Sequence, residues 1–290
     1  MREVVVISGK GGTGKTSLTA AFAHLAENKV VCDLDVDAPD LHLLLNPTVT
    51  RAEEFISGHE AVIDPEKCTG CGICASMCRY DAIDAVDGVY RVDPLRCEGC
   101  KVCVAFCPVE AIDFPARHCG QWYMSETRFG PMVHAQLFPG QENSGLLVSR
   151  LKKEARAFAE AKGLDLILCD GAPGIGCPVI ASLSQTDLAV VVTEPTPSGV
   201  HDLERVASLC GHFRTKVAVV VNKYDLNPDQ THRIEALCRE KGYTLAALLP
   251  HDTIVTEAMV RRLAVTELEN TDFGRLTREA WATITALLNA

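Results

Sequence analysis

The sequence is short of positive charge. Lys and Arg number 28 against 38 Asp and Glu, a net charge of −10 at pH 7. No basic surface is therefore expected to hold a phosphate backbone, which argues against nucleic acid as a partner. The chain also lacks any apolar run long enough to span a bilayer. Nor does it show a leader layout, because Met1 passes almost directly into the apolar run Val4-Val5-Val6-Ile7. A cytoplasmic protein is expected. The closing segment from Asp272 to Ala290 has only Arg275 and Arg278 as basic residues, which disfavours a membrane-binding amphipathic tail. Its Leu276, Ile284, Leu287 and Leu288 read as the core face of a final helix.

What is present is an apolar fraction of 47% in 290 residues, enough for one large domain with an insertion or for two domains. Fourteen cysteines in a chain expected to meet a reducing compartment argue for metal rather than disulfides.

The first chemical signal is Ser8-Gly9-Lys10-Gly11-Gly12-Thr13-Gly14-Lys15-Thr16, between the strand-like Val4–Ile7 and a helical pattern beginning at Ser17. Gly9, four further residues, Gly14, Lys15 and Thr16 satisfy the phosphate-loop pattern in its strand-turn-helix context. Glycines let successive backbone N–H groups curl around phosphate oxygens, and the following helix adds the partial positive charge of its N-terminus. Lys15 is expected on the β and γ phosphates and Thr16 on Mg²⁺. Lys10, a second lysine directly after the first glycine, resembles the deviant Walker A loop of the MinD/ParA group of ATPases. The resemblance implies that Lys10 reaches a partner's nucleotide in an ATP-dependent homodimer, or in a heterodimer with a paralogue.

Further short matches extend the resemblance. Asp35-Val36-Asp37-Ala38-Pro39-Asp40 follows a second strand, Val30–Leu34, and resembles switch I, which implies that Asp35 positions the attacking water. An Asp-rich turn capping the short helix Leu41–Leu45 is the structural alternative. Leu164–Asp170 reads as a buried parallel strand ending at Asp170, and Gly171–Pro178 resembles Walker B and switch II. Asp170 is then expected at the Mg²⁺ shell and Gly174 at the γ-phosphate. Strands Leu188–Thr193 and Lys216–Val221 follow, the second leading into Asn222-Lys223-Tyr224-Asp225. That tetrapeptide looks like the base-reading motif of GTPases, but the MinD group carries a similar Asn and reads adenine with it; Asn222 and Asp225 are the expected base contacts. ATP is favoured, with GTP as the alternative. A last strand, Thr244–Leu249, meets Pro250-His251-Asp252, expected beside the base.

The second signal is a duplication. Ile63-Asp64-Pro65-Glu66-Lys67-Cys68 recurs as Val92-Asp93-Pro94-Leu95-Arg96-Cys97, and the cysteines follow as Cys68, Cys71, Cys74, Cys78 and Cys97, Cys100, Cys103, Cys107. Each half is C-x₂-C-x₂-C-x₃-C and resembles the bacterial run for two [4Fe–4S] clusters, in which the fourth cysteine serves the other cluster. The resemblance implies Cys68, Cys71, Cys74 and Cys107 on one cluster and Cys97, Cys100, Cys103 and Cys78 on the other. Zinc is the competing metal for paired C-x-x-C spacings. Pro108 follows the second run, whereas Arg79 takes that place in the first. Cys119–Gly145 mixes aromatics with breakers and is expected to be a segment covering the junction of the insertion with the ATPase, with a partner-binding surface as the alternative; Cys119 and, near switch II, Cys177 are the spare thiols that could bind a further metal.

The expected fold is α/β: a doubly wound, mostly parallel P-loop sheet formed by 1–60 and 115–290, with a small α+β ferredoxin-like insertion at 61–114. The expected activity is Mg²⁺-dependent ATP hydrolysis coupled to electron transfer to a redox partner protein. A metallocofactor assembly factor and a MinD-like spatial regulator are the alternatives.

Overall fold

The structure, a computed structural model, describes residues 1–141 and 145–290. In chain order its elements are β1 (Arg2–Ser8), α1 (Lys15–Leu25), β2 (Lys29–Asp33), α2 (Leu41–Leu45), β3 (Thr48–His59), β4 (Val62–Ile63), α3 (Ile73–Met77), β5 (Ile83–Val86), β6 (Val89–Val92), α4 (Val102–Ala105), β7 (Ile112–Asp113), β8 (Ala116–Thr127), β9 (Gly130–Leu137), α5 (Leu146–Lys162), β10 (Leu166–Pro173), α6 (Cys177–Leu183), β11 (Leu188–Thr193), α7 (Pro197–His212), β12 (Lys216–Asn222), α8 (Pro228–Lys241), β13 (Thr244–Leu249), α9 (Ile254–Val260) and α10 (Asp272–Asn289). The chain divides into two compact units. The first is Met1–Glu53, Trp122–Gln136 and Asn143–Ala290; the second is Glu54–Gln121 and Leu137–Glu142.

Among the described residues nine strands make one sheet in the order β13-β12-β11-β1-β10-β2-β9-β8-β3. From β13 through β9 every pairing is parallel. Val4–Ile7, Val30–Cys32 and Leu188–Val192 are fully buried, because helices cover both faces of such a sheet and each strand reads as a continuous apolar run. Alternate residues take one face: Val4, Val6, Val31, Leu168, Val190 and Val220 share a core with Leu18 and Phe22 of α1 and Trp281, Ile284 and Leu288 of α10. Phe22 and Trp281 stack at 5.1 Å, an aromatic pair spanning the two helices. The final helix thus buries Ile284 and Leu288 in that core, with Leu276 and Leu287 packed at its margin.

Parallel pairing brings the C-terminal ends of β1, β2, β10, β11, β12 and β13 to one edge. Three expectations are corrected here. β10 does not stop at Asp170 but continues to Pro173, since Ser8 pairs with Pro173 across an irregularity in the ladder. The helix after the phosphate loop starts at Lys15, not Ser17, because Gly14 at φ 95 supplies the left-handed residue that turns the chain into it. The expected covering segment is largely strand: β8 and β9 extend the sheet, with Trp122, Met132 and Val133 buried. Gly130 and Pro131 sit where β9 begins, a position that tolerates proline. Positions 142–144 of that segment lie outside the described residues.

The second unit holds the duplication. β4 and β7 pair antiparallel, as do β5 and β6. Each repeat opens on the end of the other: Asp64 N–H donates to Ala111 O at 2.8 Å and Asp93 N–H to Ala82 O at 2.8 Å. The core between them is Ala61, Cys74, Ile83 and Ile112, with Ile63, Tyr90, Val92 and Phe114 at its margin.

Candidate functional site

Because Ser8, Asp33, Asp170, Thr193, Asn222 and Leu249 all lie at or near parallel strand ends, their loops converge at one edge. There they line an open cavity of about 740 Å³. Gly11, Gly12, Gly14, Lys15, Thr16 and Ser17 form one wall, with Asp35, Asp37 and Asp40 facing from the loop after β2. Asn222, Pro250, His251 and Asp252 lie at the far end. Ligands bind at this edge of open parallel sheets for the same topological reason.

The carboxylates are organised around the phosphate loop. Asp170 is fully buried and accepts hydrogen bonds from Thr16 Oγ1 at 2.7 Å and from Thr19 Oγ1 at 2.8 Å. Lys15, also buried, lies 3.6 Å from Asp35 Oδ2. Burial pushes Asp35 up to about 6 despite that lysine. Asp33 stands level with Asp170 on the neighbouring strand; burial, with the Asp170 charge beside it, pushes its carboxyl well above the usual range. Asp33 Oδ1 accepts the Asp35 N–H at 3.2 Å, but Oδ2 is buried without a hydrogen-bond partner. Buried carboxyls held short of neutralisation, one with an orphaned oxygen, match the hard oxygen donors that Mg²⁺ takes. No group of three His, Cys, Asp or Glu among the described residues converges closely enough to hold an ion by itself.

Asn222 Nδ2 donates to Thr13 O at 2.8 Å, bracing the phosphate loop from β12. A side chain on Gly14 would meet that same Nδ2 at 2.6 Å. Lys10 does not line the cavity. Its ammonium lies 3.2 Å from Glu194 Oε2, whose other oxygen is 2.6 Å from Lys223 Nζ. Burial alone would raise Glu194, but the bonds from Lys223 and Lys10 hold it below its ordinary value. Gly174 adopts φ 94 and donates its N–H to Ser8 O at 2.8 Å. Asp225 does not line the cavity; its Oδ1 accepts the His251 N–H at 2.7 Å and so fixes the loop that does. Sequence reasoning missed Asp33, Thr19, Glu194 and Lys223. Asp33 was legible by the argument used for Asp170, a carboxylate ending a parallel strand; the rest depend on tertiary contacts.

The second unit contains two smaller cavities. One, of about 20 Å³, is lined by Cys68, Cys71, Cys74 and Cys107 together with Tyr90 and Ile112. The other, also of about 20 Å³, is lined by Cys78, Cys97, Cys100 and Cys103 together with Tyr80 and Phe114. Each therefore gathers three cysteines of one repeat and the fourth of the other. Ala82 N–H points to Cys78 Sγ at 3.4 Å and Ala111 N–H to Cys107 Sγ at 3.3 Å. Four thiols spread around a cavity suit a cubic cluster, whose irons each take one sulfur, better than a single zinc, which needs four ligands at one point. Cys119, buried, directs its thiol at Ser57 O at 3.1 Å, and Cys177 is exposed at the start of α6.

Residues 4–265 match the family described as CbiA: CobQ/CobB/MinD/ParA nucleotide binding domain. The uncharacterized protein MJ0578 of Methanocaldococcus jannaschii is 35% identical over 228 residues, covering 78% of this chain and 79% of the relative. Among solved structures, the cell division ATPase MinD of Pyrococcus furiosus aligns over 99% of both chains at 16% identity with a TM-score of 0.57. The septum site-determining protein MinD of Pyrococcus horikoshii, complexed with Mg-ADP, aligns over 97% of this chain and 94% of its own at 15% identity, with a TM-score of 0.57. With a phosphate loop, a parallel sheet and a carboxylate-lined cavity at its C-terminal edge, the chain belongs to the CobQ/CobB/MinD/ParA family of nucleotide-binding domains, in the fold of the MinD ATPases.

Proposed function

We propose that the protein is a Mg²⁺-dependent ATPase whose nucleotide state is coupled to electron delivery through two [4Fe–4S] clusters to a partner protein. Lys15 leaves Asp35 for the incoming β and γ phosphates, and the freed Asp35 carboxylate orients the attacking water. Thr16 turns from Asp170 to the metal, while Asp170 and Asp33 order the metal's water. Lys10 moves from Glu194 to the nucleotide of a second subunit, in a homodimer or a heterodimer with a paralogue. Asn222 and the His251 loop meet the base, and Asp225 acts through that loop.

In this reading 1–60 and 115–290 carry the nucleotide chemistry and 61–114 the cluster ligands, the latter lying inside the wider compact unit of 54–121 and 137–142. When bound, the clusters supply one-electron transfer. Cys68, Cys71, Cys74 and Cys107 would hold one, and Cys78, Cys97, Cys100 and Cys103 the other. The observation that carries this reading is the crossed grouping of the cysteines around two separate cavities. Hydrolysis needs no thiol, so a plain nucleotide switch leaves eight of them without a role.

The likeness to MinD supports a second reading, a spatial regulator. One experiment separates the two: iron and acid-labile sulfide content, ATPase rate and ATP-dependent lipid co-sedimentation of anaerobically purified protein, Lys15→Ala and Cys71→Ser. The redox reading expects near eight irons, with Lys15→Ala losing hydrolysis but not iron and Cys71→Ser losing about half the iron but not ATP binding. Iron-free protein that sediments with lipid only in ATP would replace it with the second reading.

A further inference from the structure

The duplicated unit builds the same turn twice from different residues. Gly72 (φ 77) and Lys101 (φ 66) occupy equivalent places between the second and third cysteine of each run, and both are left-handed. That conformation favours glycine, and a lysine adopts it against its steric preference. Lys101 therefore sits where the repeat's own geometry asks for Gly.

Its position has an electrostatic consequence. Lys101 Nζ lies 5.6 Å from the centroid of the Phe114 ring, and both residues line the cavity of Cys78, Cys97, Cys100 and Cys103. Arg117 brings a second cation to the same seat, donating from Nη2 to Cys97 O at 2.6 Å. Two carboxylates accompany them: Glu60 Oε2 lies 3.5 Å from Arg117 Nε, and Glu98 lines the cavity. The lining of the other cavity contains no charged residue; Thr69 and Gly72 take the places of Glu98 and Lys101. Arg117 is offset by its own carboxylate, whereas the Lys101 ammonium, on an exposed side chain, is held over the Phe114 ring in the wall of the cavity.

We infer that Lys101 makes the two seats unequal, giving the seat of Cys78, Cys97, Cys100 and Cys103 the higher reduction potential and so making it the resting place of an electron taken up by this unit. The inference rests on the reading that each cavity holds a [4Fe–4S] cluster. Reduction adds one electron from a low-potential one-electron donor, with no proton and no bond broken. The extra negative charge is stabilised by a cation held at the wall of the cavity. The apolar seat offers no such charge.

The test is a potentiometric titration of anaerobic protein with a reduced viologen, followed by EPR, on the unaltered chain, Lys101→Gly and Lys101→Arg, with iron and sulfide measured first. Lys101→Gly is expected to keep full iron content, to lower one midpoint potential and to leave the other in place, whereas Lys101→Arg keeps both. Its melting temperature should rise, because glycine suits the turn; Lys101→Gln, which keeps a side chain there but removes the charge, should lower the same single potential. Full iron with neither potential moved, or with both moved equally, overturns the inference. Protein that takes up no iron and sulfide overturns the cluster reading and the inference with it.

Discussion

Thr19→Val tests whether the buried Asp170 is held by the hydroxyls around it. Thr19 is completely buried one turn into α1; its Oγ1 is 2.8 Å from Asp170 Oδ1 and 2.9 Å from Lys15 O. Valine keeps the shape and removes the donor, leaving Asp170 with Thr16 as its remaining side-chain donor. A hydrogen bond to a charged group is worth about 1.5–3 kcal/mol, and at about 2–4 °C per kcal/mol the melting temperature should fall by several degrees. Thr19→Ser keeps the hydroxyl and loses one methyl, about 0.8 kcal/mol. The assay is urea unfolding at pH 8 of both variants, each alone and combined with Asp170→Asn. The expected coupling between Thr19→Val and Asp170→Asn exceeds about 1 kcal/mol, outside the additivity of independent sites. Single-mutant effects that add within about 0.3 kcal/mol, or a Thr19→Val protein as stable as Thr19→Ser, would refute the account.

Further outcomes follow from the same site. Asp35 is raised to about 6 in the nucleotide-free protein, so kcat/KM, which reports the free enzyme, should rise with pH through that value and then level. Asp35→Asn should abolish hydrolysis. The stability sign is opposite: ionising a buried carboxyl is unfavourable, so this group's contribution is full below about pH 4, the unfolded value, and lost as pH rises through about 6. Urea midpoints that show no difference between the unaltered chain and Asp35→Asn across that window would contradict it. Gly14→Ala places a side chain 2.6 Å from Asn222 Nδ2 at φ 95. A left-handed strain of about 1–2 kcal/mol should weaken ATP about 5- to 30-fold by calorimetry; unchanged affinity would show that the loop has another resting shape.

The phosphate loop and the buried parallel strands were legible because they are local. A glycine pattern between an apolar run and a helix admits few structures, and fully apolar runs such as Leu188–Val192 report a two-sided sheet without naming a neighbour. The crossed cysteine sets were implied by the resemblance to the bacterial two-cluster run, and the folded unit gathers the same sets around its two cavities. The strands β8 and β9 were not legible because runs of consecutive buried residues, Cys119-Gly120 in one and Met132–Ala135 in the other, break the period-two alternation.

Composition and order by themselves determined a phosphate-binding α/β chain with a duplicated cysteine run. Only the tertiary structure decided which side chains answer one another: Lys15 with Asp35, Thr19 with Asp170, Lys10 with Glu194, and Lys101 with the wall of one cavity and not the other. The physical reason is distance along the chain. Thr19 and Asp170 are 151 residues apart, Lys10 and Thr196, beside Glu194, 186 apart. Parallel strand register and helix packing bring such pairs together, and no local pattern encodes either.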